Sequence, residues 1–238
     1  MLPRLLNLLY PSVCELCGCS IPDGQSLCES CCDQFRRLTA PLCQTCGEPF
    51  DGALDGQFDC QNCKGLSHDF EFARASLKGL AESFDLVHRL KYQRQFYLAR
   101  SLATFLQETL DEDERFREYR EAHLVPVPLH WRRQQWRHGN QAYELARELH
   151  RSSGHPLTHA LVRSRSTQTQ TKLNRKQRLS NLRGAFQVKS KHLDRLRDCD
   201  VILLDDVFTT GATAHECARV LKKVAGVRKV AVLTLVRG

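Results

Sequence analysis

Three stretches of the chain are apolar at nearly every position: Leu124-Val-Pro-Val127, Val201-Ile-Leu-Leu204 and Val230-Ala-Val-Leu-Thr-Leu-Val236. Strands buried on both faces read this way, so these three predict the interior of a parallel sheet with helices on each side. Between them the apolar positions take helical spacing. Leu80, Phe84, Val87 and Leu90 share one side of a segment, and Leu98, Leu102, Phe105 and Leu106 share one side of the next. Residues 141–149 and 214–224 also read as helices. Strands alternating with helices imply an α/β fold with crossover connections over residues 67–238. The first 66 residues carry no such period and are expected to form a separate small module.

That module is defined by cysteine. Ten of the chain's twelve cysteines precede residue 64, and eight of them form four C-x-x-C pairs. Cysteines three positions apart converge readily on one metal. Four thiolates make the closed tetrahedral shell of structural zinc. Pairing in sequence gives Cys14, Cys17, Cys28 and Cys31 as one set and Cys43, Cys46, Cys60 and Cys63 as the other, although an interleaved pairing also satisfies the spacing. Gly18 and Gly47 each follow the second cysteine of a pair, where a tight turn needs backbone freedom. A full shell leaves no open position for catalysis, and the metal would supply folding energy that so short a segment lacks in core. Cys19 and Cys32 are left over, while Cys199 and Cys217 read as small core residues.

Charge is divided unevenly. The chain carries a formal +8, but residues 1–69 hold four Lys/Arg against nine Asp/Glu. Residues 163–191 hold nine Lys/Arg and no acid. Such a segment either meets a polyanion or is a solvated basic face. The acidic cysteine module suits a structural or protein-docking role better than phosphate contact. No apolar run approaches the roughly 20 residues of a membrane span. The N-terminal ten residues lack a long signal core and a small-residue cleavage site, so a cytoplasmic protein is expected.

Candidate chemistry concentrates in Val201-Ile-Leu-Leu-Asp-Asp-Val-Phe-Thr-Thr-Gly-Ala-Thr213. An apolar strand delivers two acids, and a turn rich in hydroxyls then opens a helix. Backbone N–H groups at a helix start cradle a phosphate, and Gly211 lets the backbone come close to it. Paired carboxylates beside the cradle suit sugar hydroxyls or a divalent cation. Two adjacent acids ending an ordinary buried strand would be costly for no gain.

This segment resembles the type I phosphoribosyltransferase signature: an apolar strand, Asp-Asp, two residues, then Thr-Thr-Gly-x-Thr. The resemblance implies that Asp205 and Asp206 hold the ribose hydroxyls of phosphoribosyl pyrophosphate (PRPP), with magnesium. It also implies that Thr209, Thr210, Gly211, Ala212 and Thr213 bind the 5′-phosphate. With a zinc ribbon in front, and with Val125-Pro-Val-Pro128, Asn140-Gln141 and Gln170-x-x-Leu173 followed by Arg178-x-x-Asn181, nearly the whole chain is similar to the ComF/GntX family. That family is associated with uptake of single-stranded DNA in natural transformation, which would make DNA and other competence proteins partners. One departure stands out: the family's Arg-Gly-Phe-Asn-Gln reads Arg137-His-Gly-Asn-Gln141 here, without the aromatic, which predicts a looser loop.

Other cations are candidates for pyrophosphate or for DNA. Lys91 matches a lysine of the family and would reach a diphosphate or simply end a helix favourably. Arg132, Arg133 and Arg137 sit in the loop expected after residue 128, interleaved with Trp131 and Trp136. Those rings would stack on bases or cover the edge of the core. Arg175, Lys176 and Arg178 would stabilise departing pyrophosphate or grip a DNA backbone. His138 is a base candidate by position only. Three functions fit: a competence-pathway DNA handler whose PRPP site senses or reacts, a conventional phosphoribosyltransferase acting on a base or amine, and a zinc-ribbon adaptor with a non-catalytic site.

Overall fold

The computed structural model describes residues 12–50, 52, 56, 58–165 and 182–238. Four strands form one wholly parallel sheet: β1 (Phe72–Lys78), β2 (His123–Pro126), β5 (Asp200–Phe208) and β6 (Lys229–Arg237), in the order β1-β6-β5-β2. β3 (Leu161–Arg163) and β4 (Phe186–Val188) make a small antiparallel pair beside it. The helices are α1 (Glu29–Cys32), α2 (Ala81–Tyr92), α3 (Leu98–Glu112), α4 (Trp131–Arg137), α5 (Gln141–Ser153), α6 (Leu193–Leu196) and α7 (Ala212–Ala225). The chain is thus an α/β protein with a parallel sheet flanked by helices and with four-cysteine clusters at its N-terminal end.

Side chains alternate along β5, and this divides the interior in two. Ile202 and Leu204 join Leu86, Leu90, Leu102, Leu106, Leu145 and Leu149 on the α2–α3–α5 side. Val201 and Leu203 join Val125, Cys217, Ala218 and Leu221 on the α7 side. Covered on both faces, β5 is apolar from Val201 through Leu204, between Asp200 and the Asp205–Asp206 pair.

The two expected helices after residue 80 form, but their faces differ in one respect. Phe84 is exposed on α2, and Leu86 is buried in its place with Val87 and Leu90. The segment expected as a loop after residue 128 contains the short helix α4. Strand β1 was not legible in the apolar pattern, because it buries Arg74 (3% exposed) and Ser76. Arg74 donates from Nε to Asp113 at 2.8 Å and from Nη1 to the carbonyl of Cys43 at 3.1 Å. Asp113 holds Arg115 as well.

The cysteine segment closes the free edge of β1. Leu38 N–H donates to the Ser76 carbonyl at 3.0 Å and Lys78 N–H to that of Arg36 at 2.8 Å. An unpaired edge would otherwise template pairing with another chain. Phe35 lies edge-on to Phe105 of α3 (5.8 Å), and Arg37 stacks on the same ring (4.5 Å) while pairing with Glu108. Cys14, Leu27, Cys31 and Phe35 consequently share one core with the sheet.

Removing one partner of a buried ion pair leaves the other charge uncompensated. Asp113→Ala is therefore expected to destabilise the protein by about 3 kcal/mol in urea unfolding. Adding Arg74→Met should recover most of that loss; a double variant as unstable as the single one would contradict this account of β1.

Candidate functional site

Parallel sheets bind ligands at the carboxyl ends of their strands. Here that end holds the last residues of β5, the turn at Thr209–Gly211 and the start of α7. Gly211 sits at φ +74°, and a Cβ there would lie 2.8 Å from the Phe208 ring, so only glycine fits. No side chain caps α7, and its first internal bond runs from His215 N–H to the Gly211 carbonyl at 2.8 Å. The N–H groups of Ala212, Thr213 and Ala214 precede that bond and face the turn. Val127, Asp205, Thr209 through Ala214, and Thr234 line a cleft at this point.

The carboxylates of Asp205 and Asp206 leave the strand on opposite faces. Asp206 meets Lys91 from the last turn of α2, Nζ to Oδ1 at 2.9 Å. Asp205 faces α7 and accepts from the Asp206 N–H at 2.9 Å. Burial, then the neighbouring Asp206 charge, push its pKa up to about 7, against the opposing pull of that N–H, Lys91 and Arg163. Oxygen donors with a nearby anion cradle have the chemistry magnesium takes.

Of the residues singled out from sequence, the structure gathers Asp205, Asp206, Thr209, Thr210, Gly211, Ala212, Thr213 and Lys91 at this edge. Arg132 and Arg137 instead contact aromatic rings, with Arg132 over Trp131 at 5.2 Å and Arg137 over Tyr92 at 4.8 Å. Trp131 and Trp136 are 55% and 68% exposed, which excludes the reading that they cover the core edge. His138 caps α4 at φ +58° and touches Arg94. Arg175, Lys176 and Arg178 lie outside the described residues, as does the side chain of Arg133. The turn lacking the family's aromatic is nonetheless packed, since the Phe96 ring lies 2.7 Å from where a Cβ on Gly139 would stand. Asn140 fixes the turn, donating to the Val127 carbonyl (3.0 Å) and accepting from the Ala142 N–H (3.2 Å).

Two contributors were missed. Arg163, at the end of β3, acts on Asp205 electrostatically; its only signal was its place at the head of the basic stretch. Arg237, the last residue of β6, donates to the carbonyls of Phe208 (3.1 Å) and Thr209 (3.0 Å). Its other nitrogen faces Glu48 and, at 3.9 Å, the Cys46 sulfur. It ties the Thr209–Gly211 turn to the second cysteine cluster, and no sequence pattern announced it.

The cysteines gather in sequence order. Within each set, Cys14/Cys17/Cys28/Cys31 and Cys43/Cys46/Cys60/Cys63, all four sulfurs lie within 4.8 Å of one another. A tetrahedron with Zn–S near 2.3 Å has edges of about 3.8 Å. The Cys17–Cys28 and Cys46–Cys60 sulfurs are 3.7 Å and 3.5 Å apart, so the residues fit zinc. Gly18 and Gly47 take positive φ, as the turns demand, and a Cβ on Gly47 would meet the Ala73 carbonyl at 2.8 Å. Cys217 is buried as expected, whereas Cys199 is only partly so.

The fold is that of an α/β protein with a phosphoribosyltransferase-like parallel sheet, headed by two zinc-type clusters. Residues 5–64 match the double zinc ribbon domain family. The chain is 34% identical over 218 residues to competence protein F of Haemophilus influenzae, covering 89% of this chain and 90% of that one. It is 30% identical to the DNA utilization protein YhgH of Escherichia coli (90% and 92% covered) and 27% identical to competence protein ComFC of Bacillus subtilis (91% and 85%). The chain belongs to this competence protein F family. Among the described residues, no helix is long and apolar enough to cross a membrane.

Zinc analysis of the purified protein should return about two ions per chain, one for each four-thiolate shell. Cys46→Ser should leave about one and raise protease sensitivity at the Phe208–Thr210 turn through Arg237. Full zinc content in Cys46→Ser would show that this cysteine is not a ligand.

Proposed function

We propose that this protein binds PRPP with magnesium at the Asp205–Thr213 site and serves the handling of incoming single-stranded DNA during natural transformation, in the cytoplasm. What supports the first part most directly is the arrangement at the end of β5. One rigid strand presents two carboxylates beside an uncapped helix start that only glycine can form. In this reading the N–H groups of Ala212–Ala214 and the threonine hydroxyls hold the 5′-phosphate, and Asp205 and Asp206 orient the ribose. Magnesium, when bound, offsets diphosphate charge. Lys91, which pairs with Asp206, is a side-chain cation that the diphosphate could recruit. The DNA part rests on family membership: relatives are named for competence and for DNA utilization.

A cleft of about 140 Å³ favours a second reading, a transferase with an acceptor pocket. It lies between the second cysteine cluster and the phosphate turn, lined by Asn62, His68, Phe208, Thr209, Thr210 and Arg237 among others. Pyrophosphate release from PRPP on addition of a nucleobase would establish that reading; binding without release supports a sensory site.

Calorimetry should detect PRPP binding in magnesium, and Asp205→Asn with Asp206→Asn should weaken it by about 3 kcal/mol, two charged hydrogen-bond acceptors being lost. No binding heat in the parent protein would overturn the site. The sign of the pH effect follows from Asp205. Its raised pKa means that protonation favours the empty folded state, a contribution complete below the ordinary carboxylate range and lost as pH rises through about 7. Magnesium and ribose need the ionised form, so affinity should rise across that interval with proton release. The slope should flatten in Asp205→Asn, which leaves the titration of the ligand itself unchanged.

A further inference from the structure

Large aromatic rings are seldom left in water without a use, tryptophan least of all. On one face of this protein several stand together. Tyr92 ends α2 and is 46% exposed, and Trp131 and Trp136 on α4 are more exposed still. Trp131, five positions before Trp136 on α4, points about 140° away from it, but Tyr92 and Trp136 are not scattered. His88 and Tyr92, one turn apart on α2, have centroids 4.6 Å apart, and Trp136 meets Tyr92 edge-on at 5.7 Å. Arg137 lies over Tyr92 and donates to its hydroxyl at 3.1 Å. The rings do not stabilise α4 through burial, and the ends of that helix are closed by His130 and by the left-handed His138.

Chemistry decides what such a face would bind. Guanidiniums alternate with rings, and residues 129–140 contain no acid. On the adjoining helix the nearer acid, Asp85, is held by Arg89 at 2.8 Å. Tryptophan, tyrosine and arginine also mark protein-docking surfaces; what favours a polyanion here is the charge, since between the two tryptophans stand only arginine and glutamine. Rings that present a π-face, spaced by cations, match a polyanion with free aromatic faces. Single-stranded nucleic acid has both, whereas a duplex hides its base faces.

We propose that Tyr92 and Trp136, with Arg137, form a stacking platform for single-stranded DNA. This deepens the DNA part of the function proposed above and rests on it; it is independent of the PRPP site.

Both tryptophans of the chain lie on α4, so intrinsic tryptophan emission reports on that helix alone. Zinc-loaded full-length protein would be titrated at low salt with labelled oligothymidylate about twenty nucleotides long, enough for one or two binding sites. Anisotropy of the label and tryptophan emission would be followed together. Saturable quenching should track anisotropy, with affinity falling steeply as salt rises. Trp136→Ala and Tyr92→Ala should each weaken binding about tenfold, and Trp136→Phe should restore most of it. Both positions are exposed, and thermal unfolding should confirm that the variants keep their fold. Binding by anisotropy with unchanged emission and unchanged affinity in Trp136→Ala would overturn the platform while leaving DNA binding intact elsewhere. Equal affinity and quenching with a duplex of the same phosphate count would overturn stacking as its basis. Absence of any binding would sink the DNA part of the proposed function and this inference together, while PRPP calorimetry would stand unaffected.

Discussion

A strand paired on both sides cannot shift its register, and β5 is such a strand, bonded to β6 along nearly its whole length and to β2 along its first half. This constraint governs the site. Because successive side chains point to opposite faces, Asp205 and Asp206 must diverge, one toward α7 and one toward α2. Lys91 pairs with Asp206 and, together with Arg163, also opposes the rise in the Asp205 pKa. The apolar run before the acids is long because both faces are covered. It stops at Asp205 and Asp206, buried near the carboxyl end of the strand beside the cleft. Site geometry therefore follows from one requirement, that a register-locked strand turn these two acids to opposite faces.

The cysteine clusters extend that constraint to the other edge. Too short to bury a core of its own, the N-terminal segment gains rigidity from metal-type shells and contributes Phe35, Leu27 and Cys31 to the core of its neighbour. In exchange it covers the edge of β1. Arg237 carries the connection into the site, gripping the carbonyls of Phe208 and Thr209 with one nitrogen and facing Glu48 and Cys46 with another. A ribbon that reads from sequence as an appendage thus lines a cleft together with the Thr209–Thr210 turn.

How much of this was legible in the sequence depended on range. Continuous apolar runs revealed β5 and β6, helical spacing revealed α3, α5 and α7, and the cysteine spacing gave both clusters in the right pairing. The Asp-Asp and Thr-Thr-Gly pattern located the cleft, because strand, turn and helix start are contiguous there. What failed depended on partners distant in the chain. β1 hides a guanidinium whose carboxylate is 39 positions away, and Ser76 meets Thr109 across 33. No periodicity encodes such pairs. Arg163 and Arg237 are ordinary surface residues until the fold places them. Phe84 points outward because the packing of α2 chose Leu86, a choice that spacing alone leaves open. The turn at Gly139 seemed to lack an aromatic, yet Phe96 supplies one from a segment that is remote in sequence and adjacent in space.

The last turn of α2 brings the two proposed binding surfaces together. Lys91 reaches inward to Asp206, while Tyr92, the next residue, stands outward beneath Arg137 and Trp136. Consecutive helix positions differ by about 100° in direction, so one turn can serve a cleft and an outer face without compromise. The turn has no proline or glycine, and its burial of Val87 and Leu90 makes it stiff rather than hinged. A diphosphate that draws Lys91 away from Asp206 acts on the same few backbone atoms that hold Tyr92 in place. If that displacement changes the affinity of the outer face, thermodynamic linkage requires that a ligand on the outer face change the affinity of the cleft by the same factor. Both surfaces thus share one structural element, the last turn of α2, through which any such coupling would run.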